Sequence, residues 1–429
     1  MKYMILAMLM APLVLVAQKK GVDFTQDMSW LDILQKAKTE HKYIFVDCYA
    51  TWCGPCKYMD DSVYTNGMVG EFTGERFVCV KVQMDTTKSD DSTVQNWYAT
   101  AHWIGEQYHV QSYPTFLFLS AEGNIVHKAL GACRIPDFVK LLQVATNPRE
   151  QYYRLLDAYR VGKKDYAAMP YLALTSRMLQ DEQMAEAIAE DYIHSYLETL
   201  PDERLFANEN LQFIWGYWMI VKSKDKLFGA IRRNVRAIDS VMNNSGYTAR
   251  MVNELIYREE VGSQVEKAIY DGKEPRWSEL ERSIKKKFGM DYVQKNVIKG
   301  RVSFYKARKQ WRDYVQYLFR KVRLEGFDST QPLWVQGVIM NDDCYEIFKY
   351  SRDRQQLQMA LSWVDHALAL MTKPNGETLD TKANLLYKLG RKEEGLELEE
   401  QSYKLSPRNK DISENYQKMK SGLPTWYED

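Results

Sequence analysis

The sequence has little of several features that would place a protein in a specialised class. It carries only 6 cysteines in 429 residues and a formal net charge of +1. With no strong charge and no basic stripe interleaved with aromatics, it lacks the features that attract nucleic acid or acidic lipid. Its composition is 45% hydrophobic and 27% charged, which is typical of an ordinary folded protein. The length suggests two or three domains.

Long apolar runs are also scarce, but one uncharged run stands out near the beginning. It covers residues 3–16, follows Lys2, and gives way to polar residues at 17–20. The run is shorter than the roughly 20 residues that a membrane-spanning helix needs, and its pattern is typical of a secretory signal peptide. The sequence therefore predicts a signal peptide at 1–17 and an exported protein, periplasmic or otherwise in the cell envelope. A retained membrane anchor is the alternative.

Between residues 42 and 145 short β-rich runs alternate with helical ones. The strand-like runs are 43–49, 77–84, 115–120 and 124–129, and the helix-like runs are 30–37, 57–72 and 135–145. Residues 121–123 separate the last two strands as a hairpin turn would. This order predicts an α/β domain over residues 18–147, with a mixed central sheet and helices on both faces.

After residue 148 the strand-like runs give way to long amphipathic ones, among them 150–159, 182–197 and 227–242, which predicts an all-α helical region over 148–358. Residues 359–420 resemble tetratricopeptide helices, since Pro374 and Pro407 are 33 residues apart and the period of that repeat is about 34. Gly395 stands where the repeat pattern usually has alanine. Residues 421–429 are expected to form a tail.

The run 52–56 reads Trp-Cys-Gly-Pro-Cys. Two cysteines at this spacing could be half of a zinc site, a structural disulfide or a redox pair. A four-ligand zinc site needs a second close pair, which neither the other cysteines nor the 6 histidines supply. A disulfide across two residues removes little chain entropy and is a poor structural link. The redox pair is therefore favoured, with no metal and no cofactor beyond the redox-active disulfide itself.

The residue types in this run suit thiol–disulfide exchange. If a helix starts after Cys53, its N-terminus stabilises a thiolate there, which predicts an exposed nucleophile. Gly54 allows close approach of a substrate backbone, and Pro55 suits a first helical turn. Cys56 would be the buried resolving thiol, and Asp47 on the preceding strand would accept its proton. The alternative for Asp47 is a hydrogen-bonded strand residue without a catalytic part.

Residues 43–57 resemble the active-site strand and helix start of the thioredoxins, and the resemblance covers about 25–145. Tyr113-Pro114-Thr115 stands where that family has its cis-proline. The resemblance implies that Pro114 places the Tyr113 backbone beside Cys53 for an extended substrate. Trp52 would flank the thiols as a contact surface, or else be a partly buried structural indole. Residues 60–64 with 77–82 are similar to exported thioredoxin-like domains, including the periplasmic domain of transmembrane electron carriers.

Two further features lie within the same region. Residues 86–92 form an inserted polar loop, followed by an aromatic run with Trp97 and Trp103, which could enlarge the substrate platform or simply pack on the sheet. Cys133 could form a regulatory bridge or be a small buried residue. Cys48 should point into the core, because it alternates with Asp47 along the strand.

Two classes of function remain. The first is an exported thiol–disulfide oxidoreductase that reduces protein disulfides, because Gly-Pro between the cysteines resembles the reducing members of the family. Its electrons would come from a protein donor, for which a membrane electron carrier is a candidate, and the helical region would bind a partner or substrate. The second is a helical-repeat interaction or scaffold protein that binds a peptide or protein, in which the thioredoxin-like domain is a redox sensor or has a minor role.

Overall fold

The computed structural model describes residues 21–25 and 28–426, which form two compact units. The first unit ends at Tyr196, and the second begins at Leu197. The predicted signal peptide lies outside the described residues. Within the described part of the chain, no helix combines the length and apolar character that crossing a membrane requires.

The first unit is built around a four-stranded mixed sheet. Its strands are β1 (Tyr43–Tyr49), β2 (Phe77–Gln83), β3 (Thr115–Leu119) and β4 (Ile125–Leu130). They lie in the order β2-β1-β3-β4, with β1 and β2 parallel and the other two pairs antiparallel. The predicted α/β fold with a mixed sheet and a final hairpin is confirmed.

Eight α-helices accompany this sheet in the described residues of the first unit. They are α1 (Trp30–Glu40), α2 (Gly54–Tyr58), α3 (Gly67–Arg76), α4 (Ser92–Gln107), α5 (Ile135–Thr146), α6 (Tyr152–Arg160), α7 (Met169–Met178) and α8 (Glu182–Ser195). The single helix predicted over 57–72 is wrong. A π-helical turn, Met59–Val63, follows α2, and Asn66 then starts α3 anew by accepting the backbone N–H groups of Met68 and Val69.

The two faces of the sheet pack against different helices. On β1, Ile44, Val46 and Cys48 point to the face covered by α1 and α4, so the predicted core position of Cys48 is confirmed. Phe45 points to the opposite face, where it packs with Met59 and Phe138. Asp47 follows Phe45 by two residues along β1, so its side chain points to the same face of the sheet, on which α2 and the π-helical turn lie.

Helices α6 to α8 belong to the same compact unit as the sheet. The backbone N–H of Tyr152, at the start of α6, donates to Nδ1 of His127 on β4 at 3.3 Å. Burial lowers the pKa of His127 to about 4, which keeps this ring neutral and able to accept. The unit thus continues beyond residue 147, and the domain boundaries inferred from sequence stay predictions.

The second unit is helical throughout its described residues, as the sequence predicts. Its α-helices are α9 (Asp202–Leu205), α10 (Asn208–Gly216), α11 (Lys226–Arg233), α12 (Val235–Met242), α13 (Tyr247–Tyr257), α14 (Ser263–Asp271), α15 (Trp277–Phe288), α16 (Val293–Ala307), α17 (Trp311–Glu325), α18 (Leu333–Tyr350), α19 (Arg354–Ala369), α20 (Gly376–Lys388), α21 (Lys392–Leu405) and α22 (Lys410–Lys420). The run expected over 227–242 is interrupted at Asn234 and forms two helices.

Helices α19 to α22 give residues 359–420 the tetratricopeptide-like succession of paired helices that the sequence predicts, although α19 begins earlier, at Arg354. The glycine at 395 has a packing reason. A Cβ there would lie 2.9 Å from the Ala383 carbonyl oxygen and 3.0 Å from the Cβ of Tyr387. Glycine therefore allows α21 to approach α20 more closely than alanine would.

Candidate active site

The two cysteines of the run 52–56 lie at the start of α2. Cys53 is the N-cap residue of this helix, in an extended conformation, and Pro55 occupies its first turn. Cys53 and Cys56 are joined by a disulfide, with their Cα atoms 5.3 Å apart. The Cys53 sulfur also accepts the backbone N–H of Cys56 at 3.1 Å. A thiolate at Cys53 would therefore meet unpaired helical N–H groups and the positive end of the helix dipole.

The expectation of an exposed Cys53 is wrong for this disulfide-bonded form. Cys53 is 3% exposed and Cys56 2%. The pair packs with Ala50 and with the partly buried Tyr49 and Tyr113, which cover the sulfur atoms. A protein that reacts with the disulfide would have to approach it from the edge of these packed rings, which we call the rim.

That rim consists of the remaining residues predicted to contact substrate. Gly54 and Pro55 are exposed, and Trp52 is 70% exposed, so its indole is not a partly buried structural element and its role as a contact surface stays a prediction. The rings of Trp52 and Tyr113 meet edge-on, with centroids 5.8 Å apart. The Tyr113–Pro114 peptide bond is cis, as the family resemblance implies.

Asp47 is a buried carboxyl group, 1% exposed, on the strand that leads to the disulfide. Neither of its oxygens has a hydrogen-bond partner of normal geometry in the described residues, although the nearby Tyr64 hydroxyl interacts with the carboxyl group and opposes the rise in its pKa. The catalytic part of Asp47 stays a prediction. Burial raises the pKa of Asp47 to about 7, against the opposing effect of the nearby Lys81 ammonium. A group with such a pKa can both accept and return a proton near neutral pH.

Lys81 is a charged neighbour of Asp47 that the sequence pattern does not single out. Strand pairing places it directly opposite Asp47, with Nζ 3.9 Å from the carboxylate. The same ammonium forms an ion pair with Asp60 and lies 4.5 Å from the centroid of the Tyr49 ring. Its signal in the sequence is a single charged residue within the otherwise apolar run 77–82, in the strand that pairs with the one carrying Asp47.

A second acidic residue holds the loop that precedes the disulfide. Asp85 accepts the backbone N–H of Thr51 at 3.0 Å and also the hydroxyl of the same threonine. Asp90, in the inserted loop, accepts hydrogen bonds from Gln83, from the hydroxyl and backbone N–H of Thr87 and from the Tyr98 hydroxyl, and these donors lower the pKa of Asp90. The insertion is therefore tied to β2 and α4 beside the active-site loop.

The sequence also singles out the aromatic run in α4 and the remaining cysteines. Trp97 packs on the core beneath α4, 6.5 Å from the ring of Trp30, whereas Trp103 is 43% exposed, so packing accounts for Trp97 and the choice between the two roles stays open for Trp103. Cys133 is a half-buried free thiol packed on the opposite core, and Cys48, Cys79 and Cys344 are free and buried. Among residues 21–25 and 28–426, no three histidine, cysteine, aspartate or glutamate side chains come together as a metal site.

Comparison with known proteins agrees with this geometry. The family model for the thioredoxin-like domain matches residues 32–146. A thioredoxin H-type 2 of Nicotiana tabacum is 35% identical over 104 residues, which are 24% of this chain and 72% of that protein. A thioredoxin H-type of Fagopyrum esculentum is 31% identical over 103 residues, again 24% of this chain and 72% of the relative.

Solved structures cover the two parts of the chain separately. A solution structure from Bacteroides thetaiotaomicron, described as a disulphide-isomerase, is 30% identical and aligns with 30% of this chain and 98% of its own, with a TM-score of 0.25. A tetratricopeptide repeat protein from Parabacteroides merdae aligns with 66% of this chain and 95% of its own, at 12% identity and a TM-score of 0.23. Through its first unit, with the paired cysteines at a helix start, the chain belongs to the thioredoxin-like family of thiol–disulfide oxidoreductases.

Proposed function

We propose that this protein is an exported enzyme that reduces disulfides in other proteins through the Cys53/Cys56 dithiol. In the reduced form, the Cys53 thiolate attacks one sulfur of a client disulfide. The client S–S bond breaks, a bond forms between Cys53 and the client, and the second client sulfur leaves as a thiolate and takes up a proton. The helix N-terminus at Cys53 supports this step by stabilising the thiolate.

The second step releases the client. Cys56 loses its proton and attacks the Cys53 sulfur, so that the mixed disulfide breaks and the Cys53–Cys56 disulfide forms. The client sulfur bound to Cys53 leaves as a thiolate and takes up a proton. The client has then gained two electrons from the enzyme and two protons, and the enzyme has released one proton when Cys53 ionised and one from Cys56. We assign the proton acceptor for Cys56 to Asp47, because its carboxyl group is buried on the strand that leads to the pair and its pKa is raised to about 7.

The observation that carries this proposal is the position of the cysteine pair. It lies at a helix N-terminus, beside the Tyr113–Pro114 bond, with the exposed Trp52, Gly54 and Pro55 at its rim. An extended client strand placed along Tyr113 brings its own disulfide to Cys53. No cofactor takes part in these steps, since the electrons come from the two thiols. A protein thiol donor, for which a membrane electron carrier is a candidate, would restore the dithiol.

The helical region would bind a partner or substrate. Support comes from α18, where Leu333 and Trp334 are exposed by 59% and 66% although they are large apolar side chains. Val338 and Ile339 on the same helix are exposed as well, and a contiguous exposed apolar patch marks a surface that contacts other proteins. Replacing Trp334 with Ala should then weaken client capture while leaving the rate with a small disulfide unchanged.

A trapping experiment tests the assigned roles. Cys56→Ala removes the resolving thiol, so mixed disulfides between Cys53 and client proteins should accumulate in the compartment where the protein works. The matched control carries Cys53→Ser as well and should capture none. Adducts that persist in this control would show that Cys53 is not the nucleophile. Recovery of the adducts only from the cytoplasm would contradict export.

A further inference from the structure

The first unit contains a cleft of about 450 Å³ that the thioredoxin-like fold alone would not form. One wall is the turn that leads to Pro114, with His109 and Ser112, together with Lys128 on β4. The opposite wall comes from the added helices and the turn after α7. It is lined by Tyr152, Tyr153, Leu156, Arg160, Gln180 and Asp181. The volume lies within the range of ligand-binding pockets.

The cleft opens beside the proposed client-binding rim. Ser112 directly precedes Tyr113, whose side chain packs on the disulfide. Leu130, which also lines the cleft, pairs in register with Thr115, and the neighbouring Gly131 N–H donates to the Pro114 carbonyl at 2.8 Å. Since consecutive Cα atoms are at most about 3.8 Å apart, the Cα atom of Ser112 lies less than about 8 Å from that of Pro114 in the cis peptide.

The walls of the cleft are fixed by buried contacts. Lys128 is 6% exposed, and its ammonium donates to the carbonyl oxygens of Tyr108 at 2.9 Å and His109 at 3.0 Å. An ammonium has three protons, so one donor remains for a ligand. Across the cleft, the Tyr152 hydroxyl shares a hydrogen bond of 3.0 Å with Ser176. The site is therefore formed before any ligand arrives.

The charges that line the cleft favour an anion. Lys128 and Arg160 are the two cations of the lining, and Asp181 is its one carboxylate among the described residues. Asp181 is already engaged as the N-cap of α8, where it accepts the Met184 N–H at 3.1 Å. Arg160 lies 3.7 Å from Asp157, an exposed pair that holds the guanidinium loosely.

We propose that this cleft binds an acidic side chain of the client, two to four residues away from the client cysteine in sequence. An extended chain advances about 3.3 Å per residue. When the client cysteine lies at Cys53, a client residue two to four positions away can therefore reach past Ser112 and place its side chain in the cleft. Lys128 and Arg160 would then receive the carboxylate, and the tyrosine rings would pack against its methylene groups. This inference rests on the proposed function, because it names the class of substrate that the disulfide reductase prefers.

Two disulfide-bonded peptides that differ only in Glu or Gln three residues from the cysteine provide the test. The full chain should reduce the Glu peptide with a kcat/KM about two- to fivefold higher, the range expected of an exposed or half-buried charge pair. Arg160→Gln should remove most of this preference without changing the rate with a small-molecule disulfide. Arg154→Gln removes an exposed arginine on α6 that does not line the cleft, and this control should keep the preference.

Equal kcat/KM for the two peptides, or a preference that survives Arg160→Gln, would overturn the inference. A second measurement keeps it testable if the chain reduces nothing. Peptides with Ser in place of Cys are titrated against the oxidised protein and followed by tryptophan fluorescence. Tighter binding of the Glu peptide that depends on Arg160 supports the cleft even if the reductase proposal fails, and equal binding rejects it.

Discussion

Replacing Asp47 with Asn should make the first unit more stable at alkaline pH, because a buried carboxylate is costly when charged. Asp47 is 1% exposed, and its pKa rises from an ordinary value near 3.8 to about 7 in the native protein. The native state therefore binds this proton more tightly than the unfolded chain does. The resulting stability is fully present below the unfolded pKa and is lost as the pH rises through the native pKa.

These two pKa values set the magnitude. Between pH 5 and pH 8 the wild-type unit should lose about 2.5 kcal/mol of unfolding free energy through this one group. The Asp47→Asn variant should show no such loss, since Asn does not titrate. Because the Lys81 ammonium lowers the pKa of Asp47, Lys81→Met should raise the native pKa, so that the loss extends to higher pH and becomes larger.

Native-state hydrogen exchange followed by mass spectrometry suits this test, because peptides that cover β1 report on the first unit alone. Their opening free energy is compared at pH 5 and pH 8 after correction for intrinsic exchange. Asp61→Asn, a change at an exposed carboxylate in the neighbouring segment, is the control and should behave as wild type. A wild-type free energy that is constant between pH 5 and pH 8, or a loss that persists in Asp47→Asn, would refute the reasoning.

Three other outcomes are expected. Asp85→Ala leaves the Thr51 N–H and hydroxyl without their acceptor. Amide hydrogen exchange at residues 51–53 should then quicken by about tenfold, and the thiol–disulfide exchange reaction should slow. Unchanged amide hydrogen exchange at these residues would count against the role of Asp85. Burial and the neighbouring Asp380 raise the pKa of Glu399, and burial also raises the pKa of Asp380, so the second unit should lose stability as the pH rises above about 5, a loss that Glu399→Gln reduces in a urea titration; a loss of the same size in wild type and Glu399→Gln would contradict this. Phe138→Ala empties a fully buried site and should cost about 3–5 kcal/mol of unfolding free energy; a cost below 1 kcal/mol would mean that the core is packed differently.

The sheet could be predicted because its signals are local. Strand alternation placed Cys48 and Asp47 on opposite faces, and the hairpin turn at 121–123 separated β3 from β4 as expected. The helix after Cys56 could not be predicted in the same way. Residues 57–72 form one helix-like run in the sequence, but the π-helical turn Met59–Val63 interrupts it, and its buried residues Met59 and Val63 pack in the same core cluster as Phe45. Asn66, which caps α3, is a local signal for the restart of the helix.

The surroundings of the site depend on contacts between distant residues. Lys81 reaches Asp47 only through the register of β1 and β2, and Thr51 meets Asp85 across 34 positions of the chain. Burial of Cys53 likewise follows from the position of Tyr113, which no spacing within the run 52–56 reveals. The redox pair itself can therefore be identified from the sequence. How accessible its sulfur atoms are, and which groups surround the proton acceptor Asp47, depend on the tertiary structure.

Catalysed reduction of a protein disulfide is the most direct measurement of the central claim. The protein without residues 1–17 is mixed with a disulfide-bonded client and a thiol donor, and the appearance of client thiols is followed for the wild type and for Cys53→Ser. The wild type should accelerate reduction well above the donor alone, and Cys53→Ser should give only the rate of the donor. Equal rates for the two proteins would contradict the account.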